Sequence, residues 1–527
     1  MSQYPEFALH HLLRNSLERD PGKTAIVEGK TDHSYEELAN SSSALSNAFL
    51  ESGVSKGDRV GIYMEKSWEA VVAMLAASQA GAAFVNINPL LKPPQVKYIT
   101  EDCDVNVLVG DAPKLASLDA ELAETAFYKG DTPPDTDAAG NLLSLDKVFG
   151  QDGSSWVEKP VLENDLGSIL YTSGSTGQPK GVAFSQRNLV VGAQIVSAYV
   201  ENTSEDRILS ALPFGFDYGL NQLTSSLRVG ATLILQNSRL PGDLLKGLRR
   251  HEATGLAGVP PLWSLLLRNA KSLEEEPPDH LRYITNSGGR IPFANLEELR
   301  RLLPSTKIYL MYGLTEAFRS TYLPPDELDR VTPENWCIGK AIPNAEVYVV
   351  DENGEERPTG EVGELVHRGP TVAMGYWGKE EATNKAYKTD PFSHPELPRG
   401  NIVYSGDLAY RDEAGYLYLV GRADAMIKSQ GYRMSPEEIE DLIIGSGVVR
   451  EACAFGVEDP NVGQQVMAAV SLKDGEGDDS IESIRQHCVQ NGPPYMVPKQ
   501  IHVQDELPKT GSGKIDRKAI QNAYTEG

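Results

Sequence analysis

The stretch Leu170–Val182 (LYTSGSTGQPKGV) gathers three glycines, four aliphatic hydroxyls, a proline and a lysine behind an apolar run. Glycines let backbone N–H groups converge, hydroxyls add donors and Lys180 adds a point charge, which together suit a polyanion. The cradle would consist of Thr172, Ser173, Gly174, Ser175, Thr176, Gly177 and Lys180. Its spacing is not G-x-x-x-x-G-K-[ST], so it is not a Walker A loop. Leu166–Leu170 ahead of it reads as the end of a buried strand. Asn188–Val200 behind it reads as a helix with an apolar face, which predicts a strand–loop–helix unit.

This loop resembles the phosphate-binding motif of the adenylate-forming superfamily, which comprises acyl-CoA synthetases, amino-acid adenylation enzymes and luciferases. Further segments similar to that family follow in the family's order over nearly the whole chain. The resemblance implies ATP and Mg²⁺ as cofactors and a reaction that sets a carboxylate against the α-phosphate. Positioning and charge neutralisation carry such chemistry. By resemblance, Thr315 in Tyr312-Gly313-Leu-Thr-Glu meets the α-phosphate. Glu316 helps hold Mg²⁺, a hard cation that prefers oxygen. Ser287-Gly288-Gly289-Arg290 looks like the adenine-facing turn. Asp407 in YSGD would take the ribose hydroxyls, with Arg422 in GRAD as a second contact. Lys514 in LPKTGSGKIDR resembles the mobile lysine used for adenylation. Gly431 and Arg433 (GYR) would line the way in for a phosphopantetheine thiol.

The acid pocket is implied by the same resemblance. Phe216-Asp217-Tyr218 stands where fatty-acid enzymes commonly carry a histidine, and it is similar to amino-acid-activating relatives in which the aspartate meets the ammonium. The remaining pocket positions are Asn221, Gly258, Thr285, Ser287, Met311 and Arg319. Arg319 reads either as a site for a second carboxylate or as a salt-bridged structural residue. Gln186 replaces the histidine that family members often carry after the loop. Longer runs such as GLAGVPPLW and IGKAIPNAE resemble exosortase-associated acyl-CoA ligase-like proteins and free-standing carrier-protein ligases. The implied function is an acid–thiol ligase, with CoA or a carrier protein as acceptor. An adenylate-only enzyme and a non-catalytic nucleotide-binding regulator are the alternatives.

These residues need elements to hold them. Arg59–Met64, Ala83–Ile87 and Val105–Gly110 read as strands alternating with helices at Ser67–Gly81 and QVKYITEDC, the rhythm of an α/β protein with largely parallel sheets. Residues 130–160 read as a polar connector and Glu346–Gly375 as hairpins. Ser435-Pro436-Glu-Glu is a helix start. The expected organisation is a core over 1–423 with a β-rich part, and a mobile α+β unit over 424–527 hinged at Asp424. A chain of 527 residues needs more than one core. The net charge of −25 argues against nucleic acid or an anionic membrane as partner. The four cysteines lack metal or disulfide spacing. No apolar run suits a membrane span or a signal peptide, so the expected location is cytoplasmic.

Overall fold

The computed structural model describes residues 5–525 apart from 119–120, 151–155, 157, 173–178, 239, 395, 397–399, 424, 430–431, 460–462, 478–479 and 512. Among the described residues the strands form three sheets. The largest has a parallel half made of Thr24–Glu28, Thr232–Leu235, Arg207–Ser210, Gly255–Gly258, Tyr283–Asn286 and Lys307–Leu314. At Leu314 the chain turns back as Ala317–Leu323. Antiparallel pairing then continues through Trp336–Ala341, Leu417–Arg422, Asn401–Arg411, Gly363–Arg368 and Glu346–Val350, the hairpin texture expected there.

The second sheet carries the expected βαβ rhythm. Val105–Asp111, Arg59–Tyr63, Ala83–Asn86 and Leu166–Thr172 run parallel. The intervening helix Trp68–Gln79 is capped by Ser67, whose side chain accepts from the Ala70 N–H. All but one of its residues are buried, as an almost wholly apolar helix requires. The third sheet, with Val449–Asp459, Gly463–Leu472 and Gln500–Val503, closes over its own core of Ile439, Ile443, Val470 and Ile484. Its helix Pro436–Ile444 starts as the sequence predicts. Ser435 and Glu438 form a capping box.

Two expectations need correction. The phosphate loop does not lead into a helix: Thr172 pairs with Lys180 across an antiparallel ladder joining Leu166–Thr172 to Lys180–Ser185. The β-prone run KGVAFS takes the chain back along the sheet before the helix Gln186–Tyr199 begins. The supposed connector over 130–160 also contains the strand Ala139–Ser144 and the short helix Leu145–Phe149.

Gln186 has a structural role. Its Oε1 accepts from the Leu9 N–H at 3.0 Å and from Ser78 Oγ at 3.4 Å, tying the N-terminal helix Leu9–Arg19 to the core. The four cysteines are buried and free of disulfides. Among the described residues no helix is long and apolar enough to cross a membrane.

His367 lies in Gly363–Arg368, 2% exposed, and neither ring nitrogen finds a hydrogen-bond partner. Burial pushes its pKa down to about 3. The unfolded chain therefore binds a proton below the ordinary value near 6.5 that the native ring refuses, so stability is lost as pH falls through that window. Between pH 7 and 5 this ring alone should cost about 2 kcal/mol. Urea unfolding of His367→Phe at the two pH values should show a pH dependence smaller by that amount. An unchanged dependence would refute the assignment.

Candidate active site

A cavity of about 1560 Å³ opens where the two large sheets and the C-terminal unit meet. The ends of parallel strands line it: Thr172 from one sheet, and from the other Tyr312 and Gly313 at the end of Lys307–Leu314 with Thr315 and Glu316 in the turn after it. Crevices at strand ends are where open α/β sheets bind ligands. The helix Asp217–Val229 brings Phe216 and Asp217 to the wall, and Ser287–Arg290 leaves the strand Tyr283–Asn286 at its rim.

Lys514 enters this cavity from the C-terminal unit. A tight turn presents it: the Thr510 N–H donates to the Lys514 carbonyl at 2.7 Å, and the Gly513 N–H donates to the Thr510 carbonyl. Its Nζ sits 5.5 Å from the centre of the Phe216 ring. Burial lowers its pKa, while Asp217, Asp407 and Glu316 pull in the other direction. Gly288 has φ +77°, and a Cβ there would stand 3.0 Å from Lys514 Cε. Glycine is required at this turn both for the left-handed backbone and for the lysine's approach.

The carboxylates around the ammonium are individually oriented. Asp407 Oδ2 accepts from the Tyr312 hydroxyl at 2.5 Å, and Oδ1 lies 3.4 Å from Arg422 Nη1. Burial raises the Asp407 pKa against the pull of Arg422 and Tyr312. Glu316 Oε1 accepts from the Tyr376 hydroxyl at 2.5 Å, and Lys180 Nζ lies 5.2 Å from the centre of the Tyr376 ring. The Glu316 carboxylate and the Thr315 hydroxyl, both in the cavity wall, supply the hard oxygen donors that fit Mg²⁺.

Asp217 is 4% exposed and its Oδ2 lies 3.7 Å from Arg319 Nη1. Burial raises its pKa, opposed first by Arg319 and then by Lys514. Arg319 is 2% exposed, adopts φ +61° and stacks 4.2 Å above the Tyr218 ring. Its Nε and Nη2 have no hydrogen-bond partner.

Two family patterns match the sequence that builds this site. That of the AMP-binding enzyme family covers residues 13–377, and that of its C-terminal domain covers 438–514. The chain belongs to the AMP-binding enzyme family. Its similarities are to adenylate-forming ligases of the acyl-CoA synthetase and peptide-synthase adenylation type. Bacitracin synthase 3 of Bacillus licheniformis is 30% identical over 517 residues, and Gramicidin S synthase 2 of Aneurinibacillus migulanus is 29% identical over 528. These matches cover 97% and 98% of this chain but only 8% and 11% of those relatives. The structure of the anthranilate CoA ligase AuaEII with anthranoyl-AMP superposes with a TM-score of 0.88 at 25% identity, covering 100% of this chain and 99% of that one. ATP-bound MatB from Rhodopseudomonas palustris gives 0.82 at 26%, covering 98% and 99%. These nucleotide complexes support ATP use by this AMP-binding enzyme.

The cavity unites Thr172, Lys180, Phe216, Asp217, Gly288, Gly289, Arg290, Met311, Tyr312–Glu316, Asp407, Arg422 and Lys514. Other expected pocket residues are packed behind its wall. The Tyr218 hydroxyl bonds to Thr285, the Ser287 N–H donates to the Gly258 carbonyl, and Gly258 lies against Trp263. Asn221 borders a separate small recess beside Asp217. Ser173, Gly174, Ser175, Thr176, Gly177, Asp424 and Gly431 lie outside the described residues, and Arg433 is placed only by its strand, Tyr432–Met434.

Sequence reasoning missed Tyr376, although an aromatic pair in MGYW was there to notice. It placed Arg290 in the adenine-facing turn without naming a partner for its guanidinium, which the structure sets against Asp441 and the Pro333 carbonyl.

Lys514 is the cation that the C-terminal unit adds to Asp217, Asp407 and Glu316 of the core, beside the core cations Arg319 and Arg422, and it suits charge that develops during adenylation. Lys514→Ala should therefore lower ATP–pyrophosphate exchange at least about a hundredfold with little change in thermal midpoint. Exchange within a fewfold of wild type would remove Lys514 from the chemistry.

Proposed function

We propose that this AMP-binding enzyme activates a carboxylic acid with ATP and passes the acyl group to a phosphopantetheine thiol, on CoA or a carrier protein. The observation that carries this reading is Lys514, delivered into the carboxylate-lined cavity by a unit with its own sheet and core. In the first step an acid oxygen attacks the α-phosphorus, the bond to pyrophosphate breaks and an acyl adenylate forms. Lys514 faces the oxygens on which charge builds. Thr315 lies beside the α-phosphate, while Lys180 and the segment 172–177 receive the leaving pyrophosphate. A magnesium ion at Glu316 would neutralise phosphate charge when bound. Asp407, fixed by Tyr312, accepts from the ribose hydroxyls, with Arg422 beside it.

In the second step the thiol sulfur attacks the acyl carbon and AMP leaves with the bonding pair. The reading divides the chain at Asp424, where 424–527 turns to withdraw Lys514 and to bring Gly431 and Arg433 beside the thiol's path. The separate C-terminal sheet supports this division. The acid lies between Phe216, Asp217 and Met311. An α-amino acid would share Asp217 with Arg319, whereas an acid without an ammonium would leave that pair intact.

The test is ATP–pyrophosphate exchange with benzoate, anthranilate, malonate and the proteinogenic amino acids, followed by transfer to CoA and to a phosphopantetheinylated carrier protein. Exchange without transfer to either thiol would reduce the function to adenylation. Asp217→Ala should cut exchange with amino acids at least about a hundredfold, the cost of stranding a buried ammonium, and leave the other acids within a fewfold. Activity confined to acids lacking an ammonium would assign Asp217 to Arg319 alone. Lys514→Ala should still make thioester from supplied acyl adenylate at close to the wild-type rate. Equal loss of both steps would contradict the division of labour.

A further inference from the structure

Arg290 and Asp441 meet across the boundary between the large core and the C-terminal unit. Arg290 follows the turn that receives Lys514, and Asp441 lies on the helix Pro436–Ile444. Their closest approach, Nη2 to Oδ2, is 2.5 Å, with side chains 6% and 11% exposed. Arg290 is held on its own side by the Pro333 carbonyl at 2.9 Å and by the face of Trp336, 5.0 Å from its guanidinium carbon. It is thus fixed in place before any partner arrives.

Asp441 gains little from its own unit. Glu437 and Glu438 on the same helix repel it, and Arg517, the nearby cation of that unit, is committed to Glu437 at 2.9 Å and Glu440 at 2.7 Å. The groups that favour its charge come from the large core: Arg290 and the backbone N–H of Phe293. Phe293 opens the helix Phe293–Leu302, which has no side-chain cap at Pro292 and no acidic residue in its first turn. An uncapped helix N-terminus attracts a carboxylate, and here the other unit supplies it. Arg290 also draws down the pKa of Glu437 and opposes the rise at Glu438, so one fixed cation faces a whole acidic helix face.

Arg290 is two residues from Gly288, where a Cβ would stand 3.0 Å from Lys514 Cε. We propose that Arg290 and Asp441 form a latch that seats the C-terminal unit in the adenylating pose, making both positioning residues for Lys514. The proposal rests on the reading that this unit turns between two half reactions. A buried ion pair contributes more to choosing one arrangement than to net stability, because desolvation offsets much of its attraction. Released, each charge returns to water, which keeps the latch reversible.

The test is a double-mutant cycle on the full chain with Arg290→Gln, Asp441→Asn and their combination. It uses whichever acid of the panel above gives the fastest exchange. Each single variant should slow ATP–pyrophosphate exchange at least about tenfold. The double should be no slower than the slower single, and kcat should fall more than KM for ATP rises. Conversion of supplied acyl adenylate to thioester should hold or rise, and thermal midpoints should stay close to wild type. Losses that multiply in the double, equal loss of both half reactions, or exchange unchanged in both singles would overturn the latch. Hydrogen exchange with ATP alone adds an arm that needs no acid. A peptide that starts several residues before Phe293 and spans it should lose protection in Asp441→Asn, and retained protection would count against the proposal. If the wild type makes no thioester, the transfer reading fails while the exchange arms still decide the latch.

Discussion

The site depends on bringing one ammonium into a cavity whose wall already holds Asp217, Asp407 and Glu316. Arg319 and Arg422 of the core stand beside two of these carboxylates, and Lys514 adds a cation from outside that core. In the proposed two-pose cycle, carrying Lys514 on the C-terminal unit would make this added charge conditional on docking. Burial and partner charges then act in opposite directions on the same group, so its electrostatic character belongs to the docked arrangement. The tight turn at Thr510–Lys514 and the glycine at 288 both serve that approach.

The wall is prepared by hydroxyls as much as by charges. Tyr312 fixes Asp407 and Tyr376 fixes Glu316, so each carboxylate presents a defined oxygen. Both tyrosines have pKa values raised by burial and by the adjacent carboxylate, so they stay donors. Preorganisation of this kind lowers the reorganisation needed when charge moves between the acid, the phosphorus and the leaving group. The pair of Asp217 and Arg319 differs, because its separation of 3.7 Å leaves two guanidinium nitrogens without a partner.

Much of this was legible in the chain. Alternating apolar runs gave the parallel strands, and Ser67 and Ser435 marked helix starts that the structure retains. The motifs that converge on the cavity were visible because phosphate and metal chemistry restricts residue types at fixed spacing. What could not be read depends on tertiary company. The segment KGVAFS pairs back as a strand where a helix was expected to follow the loop directly. Arg290 could be placed in the nucleotide-facing turn, but nothing near it in sequence names Asp441. Gln186 looked like a lost histidine, and only the fold shows the N-terminal helix hanging from its carbonyl. Tyr218 and Thr285 satisfy each other behind the wall, a pairing that no local pattern announces.

The clearance at Gly288 also bears on how such a protein can change over generations. A methyl group there would meet the stem of Lys514, which is carried by a different unit, at a distance most real side chains avoid. A side chain at the turn would have to displace the lysine's stem as well as adopt a left-handed backbone. Recombination that swaps the C-terminal unit between relatives would need to bring a lysine whose path suits the turn it meets. A hydrogen in place of a side chain thus bears on which pieces of related proteins can be exchanged.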